Sequence, residues 1–397
     1  MELKDRNYEF PIVSVNQNDY EEVQAWVNRN KESVGNKQLF IYGAGIRGNM
    51  FLQMLNKSGI VVTGFVDGSE EKQGARVGNL RIYSLEDLKE NQEKFILVSP
   101  ENDKAILEKL KENGYRRYQD YDRIESTNYE NYVKEFERKG DIRYLFFGDC
   151  FFPDLDINDL KYKSMGDMVK ESLGIEQTKV LTMHGMCTPS FYHILRRQLA
   201  MGIMPEAVVF IVNVPFCTGI QTKLPQSQHP ELFEKIEQIG TDEEFSEYVQ
   251  LTKNRANNIN QKAFSTKLTD EKQKENVEKM LTKMRYMYKL DENNENIVFV
   301  KKIIALLKEH RIQAKPFIPA IHYKMGEAYW GEEFYKRYDE ICRGLHRVME
   351  EQQTELLDMS YLLQEDMFYG EYMTKFPNGI GKEKEVDALI EFVTGGK

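Results

Sequence analysis

The chain has 397 residues, 41% of them hydrophobic, 30% charged and 12% aromatic, a composition that excludes a disordered or fibrous protein and allows two or three ordinary domains. With 54 Lys+Arg against 64 Asp+Glu the formal charge is -10, and no basic run offsets it, so a nucleic-acid partner is not expected. No window reaches the ~18 apolar residues of a membrane span, the opening MELKDRNYEF lacks a secretory pattern, and Cys150, Cys187, Cys217 and Cys342 form no CxxC pair, so a cytoplasmic protein with free thiols is expected.

Residues 1–36 read as a helical lead-in, with Val23, Trp26 and Val27 at helical spacing behind an Asn18 cap. The run Gln38 to Tyr42 is a strand that stops at Gly43, and NMFLQMLNKSG carries apolar residues at helical period. IVVTGFVD, IYSLEDL and FILVS repeat the alternation, giving a parallel α/β module over 37–125 with about four strands. A charged linker helix follows at 126–141. From 142 to 397 the strand candidates RYLFFGD, KVLTM, AVVFIVNV, KPFIPAIHY and TELLDM alternate with helices, so a second α/β domain is expected, interrupted by a helical insertion at 230–311. In that insertion Val277, Met280, Leu281, Met284 and Met287 share one face, which predicts core filling rather than a substrate lid.

Gly43-Ala44-Gly45-Ile46-Arg47-Gly48 is a GxGxxG between strand and helix, and Asp67 ends the next strand nineteen positions after Gly48. The spacing suits a phosphate at the helix N-terminus, with Gly43, Gly45 and Gly48 as the binding turn and Asp67 as acceptor for a ribose diol. The run GAGIRG, then GFVDGSEEKQGARVGNLRIYSLEDL, then FILVS, resembles the small Rossmann module at the front of bacterial sugar acyltransferases of surface-glycan pathways. That resemblance covers about residues 37–121 and implies a nucleotide-sugar ligand. The plainer alternative is a structural or dimerising arm in a homo-oligomer.

In the second domain Gly148-Asp149-Cys150 closes the first strand, His184-Gly185 the second, Asn213 the third and His322 the fourth. Residues past the carboxyl ends of such strands line the ligand crevice. These landmarks resemble the SGNH (GDSL-like) hydrolase family, whose doubly wound, flavodoxin-like sheet carries a strand-terminal GDS, a glycine after the second strand and an asparagine after the third. The resemblance implies that Cys150 is the nucleophile, that Gly185 and Asn213 are oxyanion donors and that Asp149 shapes the turn. Some capsule-polysaccharide acyltransferases of this fold look similar in placing a cysteine there.

The chain departs from that pattern in reading GDC for GDS, in carrying IVNVPF where GxND is usual, and in offering Glu371-Tyr372-Met373-Thr374 where the C-terminal DxxH belongs. The usual base is therefore missing, and His184 or His322 is the candidate to shuttle the proton. A metal would need three ligands. His184 and His322 with Asp149 or Asp358 supply the types, but no HxH or HExxH spacing supports them and no metal is assigned. Tyr323 and Trp330 offer a sugar-stacking platform or ordinary core.

The expectation is an ester hydrolase or acyltransferase acting on a carbohydrate or nucleotide-sugar in surface polysaccharide synthesis. Nothing in the chain identifies a donor such as acyl-CoA. Two rivals stand beside it: a catalytically degenerate protein that senses a nucleotide-linked ligand, and a nicotinamide-dependent oxidoreductase resting on GxGxxG alone.

Overall fold

The computed structural model describes residues 7–8, 14–91, 93–100, 103–158, 160, 162–224, 227–257, 271–369 and 377–395. The chain divides into two compact units, one of Met1–Asn128 with Leu155–Leu160, the other of Tyr129–Asp154 with Lys161–Lys397. Among the described residues no helix is long and apolar enough to cross a membrane.

The first unit is built on strands β1 (Asn7–Tyr8), β2 (Ser14–Asn16), β3 (Gln38–Tyr42), β4 (Val62–Val66), β5 (Arg76–Val77), β6 (Leu80–Tyr83), β7 (Lys94–Val98) and β8 (Tyr121–Arg123). Its helices are α1 (Gln17–Val34), α2 (Ile46–Lys57) and α3 (Lys104–Glu112). The main sheet runs β1-β5-β6-β4-β3-β7-β8. Five strands, β6, β4, β3, β7 and β8, pair in parallel. Counted from β3 their order is 3-2-1-4-5, so the winding reverses between β3 and β7, where a doubly wound sheet opens its crevice. Strand β8 is the one the four-strand expectation lacks; its three residues are too few to show a period. Helix α1 is capped by Asn16, whose side chain accepts from the Asn18 amide, not by Asn18 itself. Leu155 and Ile157, although they follow the second unit's first strand, are buried in this unit's core.

The second unit holds β9 (Tyr144–Gly148), β11 (Thr178–Thr182), β12 (Ala207–Ile211), β13 (Gln313–Ile318) and β14 (Leu357–Asp358); β10 (Asp154–Asp156), whose last two residues belong to the first unit, pairs with β2. The sheet order β11-β9-β12-β13-β14 is entirely parallel and, counted from β9, reads 2-1-3-4-5, the flavodoxin-type winding. The strands are continuous apolar runs because both faces are covered: Leu145, Phe146, Val208, Val209 and Phe210 are buried.

Helices α4 (Asn128–Glu137), α5 (Met165–Leu173), α6 (Thr188–Ala200) and α7 (Pro230–Ile239) are followed by α8 (Glu243–Asn257), α9 (Glu271–Tyr286), α10 (Glu295–Glu309), α11 (Tyr323–Trp330), α12 (Glu332–Glu351) and α13 (Gly379–Thr394). Helices α7 to α10 fill the expected insertion, and α10 buries Ile297, Val300, Ile303, Ile304 and Leu307. Helix α9 corrects the methionine expectation. Met280 is 52% and Met284 46% exposed, whereas Thr282 and Tyr286 are buried and Met287 packs on the core, so the packed stripe is turned away from Met280 and Met284. Trp330 donates from its indole to the Lys279 carbonyl and lies under Lys283, a packing role between helices α9 and α11.

Candidate active site

In both units the crevice is made where the winding reverses. In the second, that point lies between β9 and β12, so Cys150 follows one flanking strand and Asn213 the other.

The turn after β9 is built by three hydrogen bonds, one to a side chain and two within the backbone. The Asp149 carboxylate accepts from the Phe151 amide at 2.9 Å, the Phe152 amide donates to the Asp149 carbonyl at 3.2 Å, and the Asp154 amide donates to the Cys150 carbonyl at 3.2 Å. The last bond closes a helical turn of the i to i+4 kind, which brings Asp154 back beneath Cys150. Phe152 folds under the strand end so closely that a Cβ on Gly148 would stand 2.3 Å from its ring, which is why only glycine fits there.

Asp149 therefore shapes the turn, and its second oxygen accepts from Asn213 Nδ2 at 2.8 Å. Burial pushes its carboxyl above the usual range, against the pull of the Phe151 amide, the Asn213 amide and the nearby His184. An asparagine amide carries two hydrogens, so Asn213 keeps a second N–H after this bond.

Cys150 is half-buried, Asp154 is buried and His184 is exposed, and one ligand-capable atom of each lies within 4.8 Å of the other two. Burial pushes the Cys150 thiol well above its ordinary value, and the Asp149 and Asp154 carboxylates push it further. The backbone of Gly185 and of Cys150 itself pulls the other way. Gly185 stands in the left-handed region at φ 76°.

His184 is steadied by His229, the residue just before α7. His229 Nε2 lies 2.6 Å from the His184 carbonyl, and His229 Nδ1 lies 3.2 Å from the Tyr129 hydroxyl. A carbonyl only accepts, so Nε2 carries the proton and Nδ1 accepts from Tyr129. Burial lowers the His229 pKa to about 4, which keeps this ring neutral at pH 7.

His322 is not brought to the thiol cluster. It caps α11, accepting from the Met325 amide at 3.3 Å, and its ring packs on Phe368 with centroids 4.8 Å apart. The ligand set of His184 and His322 with Asp149 or Asp358 is likewise not assembled. Asp358 bonds Ser360 and His346, and the acidic member of the described cluster is Asp154. Asp154 carries a signal in the sequence only as a carboxylate four places after a strand-terminal cysteine. Glu371, Tyr372, Met373 and Thr374, expected at the DxxH position, lie outside the described residues.

In the first unit Gly43 adopts φ 104°, and a Cβ on Gly48 would meet the Gly43 carbonyl oxygen at 1.9 Å, so both glycines are required by the turn itself. A Cβ on Gly45 would meet nothing within 4 Å, leaving open space over the N-terminus of α2. Asp67 closes this turn from within. Its Oδ2 accepts from the Ala44 amide at 2.9 Å and pairs with Lys72 Nζ at 3.0 Å, and its Oδ1 accepts from the Ser69 amide at 2.9 Å. The expected ribose acceptor is thus already engaged by the protein.

The family model described as C2185-like, N-terminal, matches residues 35–119. No curated protein matches the chain. Solved structures similar to it include a GDSL-like lipase from Bacteroides thetaiotaomicron, 11% identical with a TM-score of 0.35, spanning 68% of this chain and 99% of that one. An alpha/beta hydrolase from the Lake Arreo metagenome is 10% identical, with a TM-score of 0.34 over 66% and 99% of the two chains. A catalytic mutant of an acetylxylan esterase from Geobacillus stearothermophilus is 10% identical, with a TM-score of 0.32 over 65% and 96%.

Proposed function

We propose that the chain is an acyl-transferring enzyme, an ester hydrolase or acyltransferase, in which Cys150 is the nucleophile and His184 its proton shuttle. The observation that carries this reading is the convergence of thiol, imidazole and carboxylate within 4.8 Å at the end of the strand that leads into Cys150. Because its surroundings keep the thiol protonated, the proton must leave as the sulfur attacks. His184 takes it, the Cys150–carbonyl bond forms, and the amides of Gly185 and Cys150 receive the oxyanion together with the second Asn213 N–H. His184 then returns the proton to the departing alcohol and leaves a thioester. Water, or a sugar hydroxyl in transfer, attacks that thioester with His184 again taking the proton.

Exposure of His184 leaves room for the small rotation that brings the ring, already within 4.8 Å of the sulfur, to hydrogen-bond reach, a tightening common when substrate binds. The favoured acceptor is a carbohydrate, carried as a nucleotide-sugar by the turn Gly43–Gly48, whose open space above Gly45 suits a phosphate. The test is burst acylation by a p-nitrophenyl ester. The wild type releases one equivalent of nitrophenol in a fast phase, and Cys150→Ala abolishes it; an unchanged burst in Cys150→Ala overturns the reading.

One observation favours a second reading, that of a binding protein with catalysis lost: Asp149 and Asp154 both oppose a free thiolate. Stabilisation by UDP-sugars with no acylation at any pH from 6 to about 10 selects it.

A further inference from the structure

We infer that Cys150, Asp154 and His184 form a site for one divalent cation of the zinc type, and that the ion silences the thiol. The cluster joins one sulfur, one carboxylate oxygen and one imidazole nitrogen, with the three atoms mutually within 4.8 Å. These are the donors Zn²⁺ accepts, and around a tetrahedral ion at about 2.0–2.3 Å they stand roughly 3.3–3.8 Å apart. Contraction by at most about 1–1.5 Å is therefore sufficient, and the exposed His184 side chain supplies it. Cys150 and Asp154 are already fixed on one turn by the bond from the Asp154 amide to the Cys150 carbonyl.

The charge agrees with the geometry: the buried Asp154 carboxylate, returned toward Cys150 by its turn, makes this place favourable to a cation. Binding breaks the S–H bond, forms an S–metal bond and releases one proton to solvent, while neutral imidazole and ionised Asp154 complete three ligands and leave the fourth position to water. The backbone of His184 is held by His229, which fixes the loop from which the ring reaches the cluster. That the ion blocks acylation rests on the catalytic reading above; that it binds does not.

The experiment titrates Co²⁺ into the full chain after chelator treatment. One equivalent should produce the near-ultraviolet thiolate-to-cobalt charge-transfer band, bleached by one equivalent of Zn²⁺. Cys150→Ser, its fold verified by circular dichroism, should lose the band although three other cysteines remain, and His184→Gln on the exposed side should weaken cobalt binding at least tenfold. A wild type without the band, or a band that survives in Cys150→Ser, overturns the site. Burst acylation measured in chelator separates the two claims. A band without a burst keeps the metal site and retires the nucleophile, and a burst without a band does the reverse.

Discussion

At the scale of single residues, the site depends on second-layer contacts as much as on the thiol. His229 grips the His184 carbonyl and is itself oriented by Tyr129. His229→Asn keeps a side chain tolerant of the left-handed backbone at φ 45° but loses the ring. It should slow Cys150 acylation about tenfold, the ~1.4 kcal/mol scale of a lost hydrogen bond, through kcat with little change in KM. Stopped-flow bursts check it, and an equal loss through KM alone would assign His229 to substrate binding. Asn213→Ala withdraws a donor from the buried Asp149 carboxylate and should cost about 1–3 kcal/mol in urea unfolding. No loss of stability would show that the pair does not hold the turn.

Elements carry the next layer. Gly148→Ala drives a methyl into the Phe152 ring, which is fully buried beside Phe146 and Phe317, and should destabilise by about 1–3 kcal/mol while displacing the turn that bears Cys150. Unchanged stability and acylation would sink that assignment.

Helix α13 docks through Glu385, whose buried carboxyl accepts from the Ala320 amide and is raised by burial to about 8, and through Lys382, which donates to the Asp154 carbonyl. A carboxyl whose folded pKa is raised binds its proton more tightly in the native state. Its contribution is complete below the unfolded value of 4.5 and is lost as pH rises toward about 8. Relative to Glu385→Gln, the wild type should therefore lose stability between pH 5 and 8 by up to about 1.4 kcal/mol per pH unit. Parallel pH profiles in chemical denaturation would show that this carboxyl does not titrate in that window.

Across the whole molecule, two sheets of different winding each reverse direction beside a glycine-marked strand end, and each reversal coincides with a candidate site. That much was legible in the chain, because a strand stopping at GxG or at GDC is a local pattern: Gly43, Gly48, Asp149 and Cys150 sit where their neighbours alone predict. What lay beyond reading depends on distant or three-dimensional closure. Asp154 joins the site only through the turn it closes, His229 reaches His184 from forty-five residues away, and His322 stands at a strand end yet turns to cap a helix. Helix α9 defeated periodicity in part, since Thr282 and Tyr286 are buried where Met280 and Met284 are exposed. If the first unit carries a nucleotide-sugar on its glycine turn, UDP-sugars should raise the melting temperature and NAD(H) should not; stabilisation by NAD(H) alone would contradict that ligand class.

The account is tested most directly by mass spectrometry of the full chain quenched during turnover of an activated acetyl ester in chelator. A single acetyl group on the peptide containing Cys150, absent from Cys150→Ala and slowed in His184→Gln, is the predicted result. Acetyl groups scattered over surface lysines, with the Cys150 peptide unmodified, would contradict it.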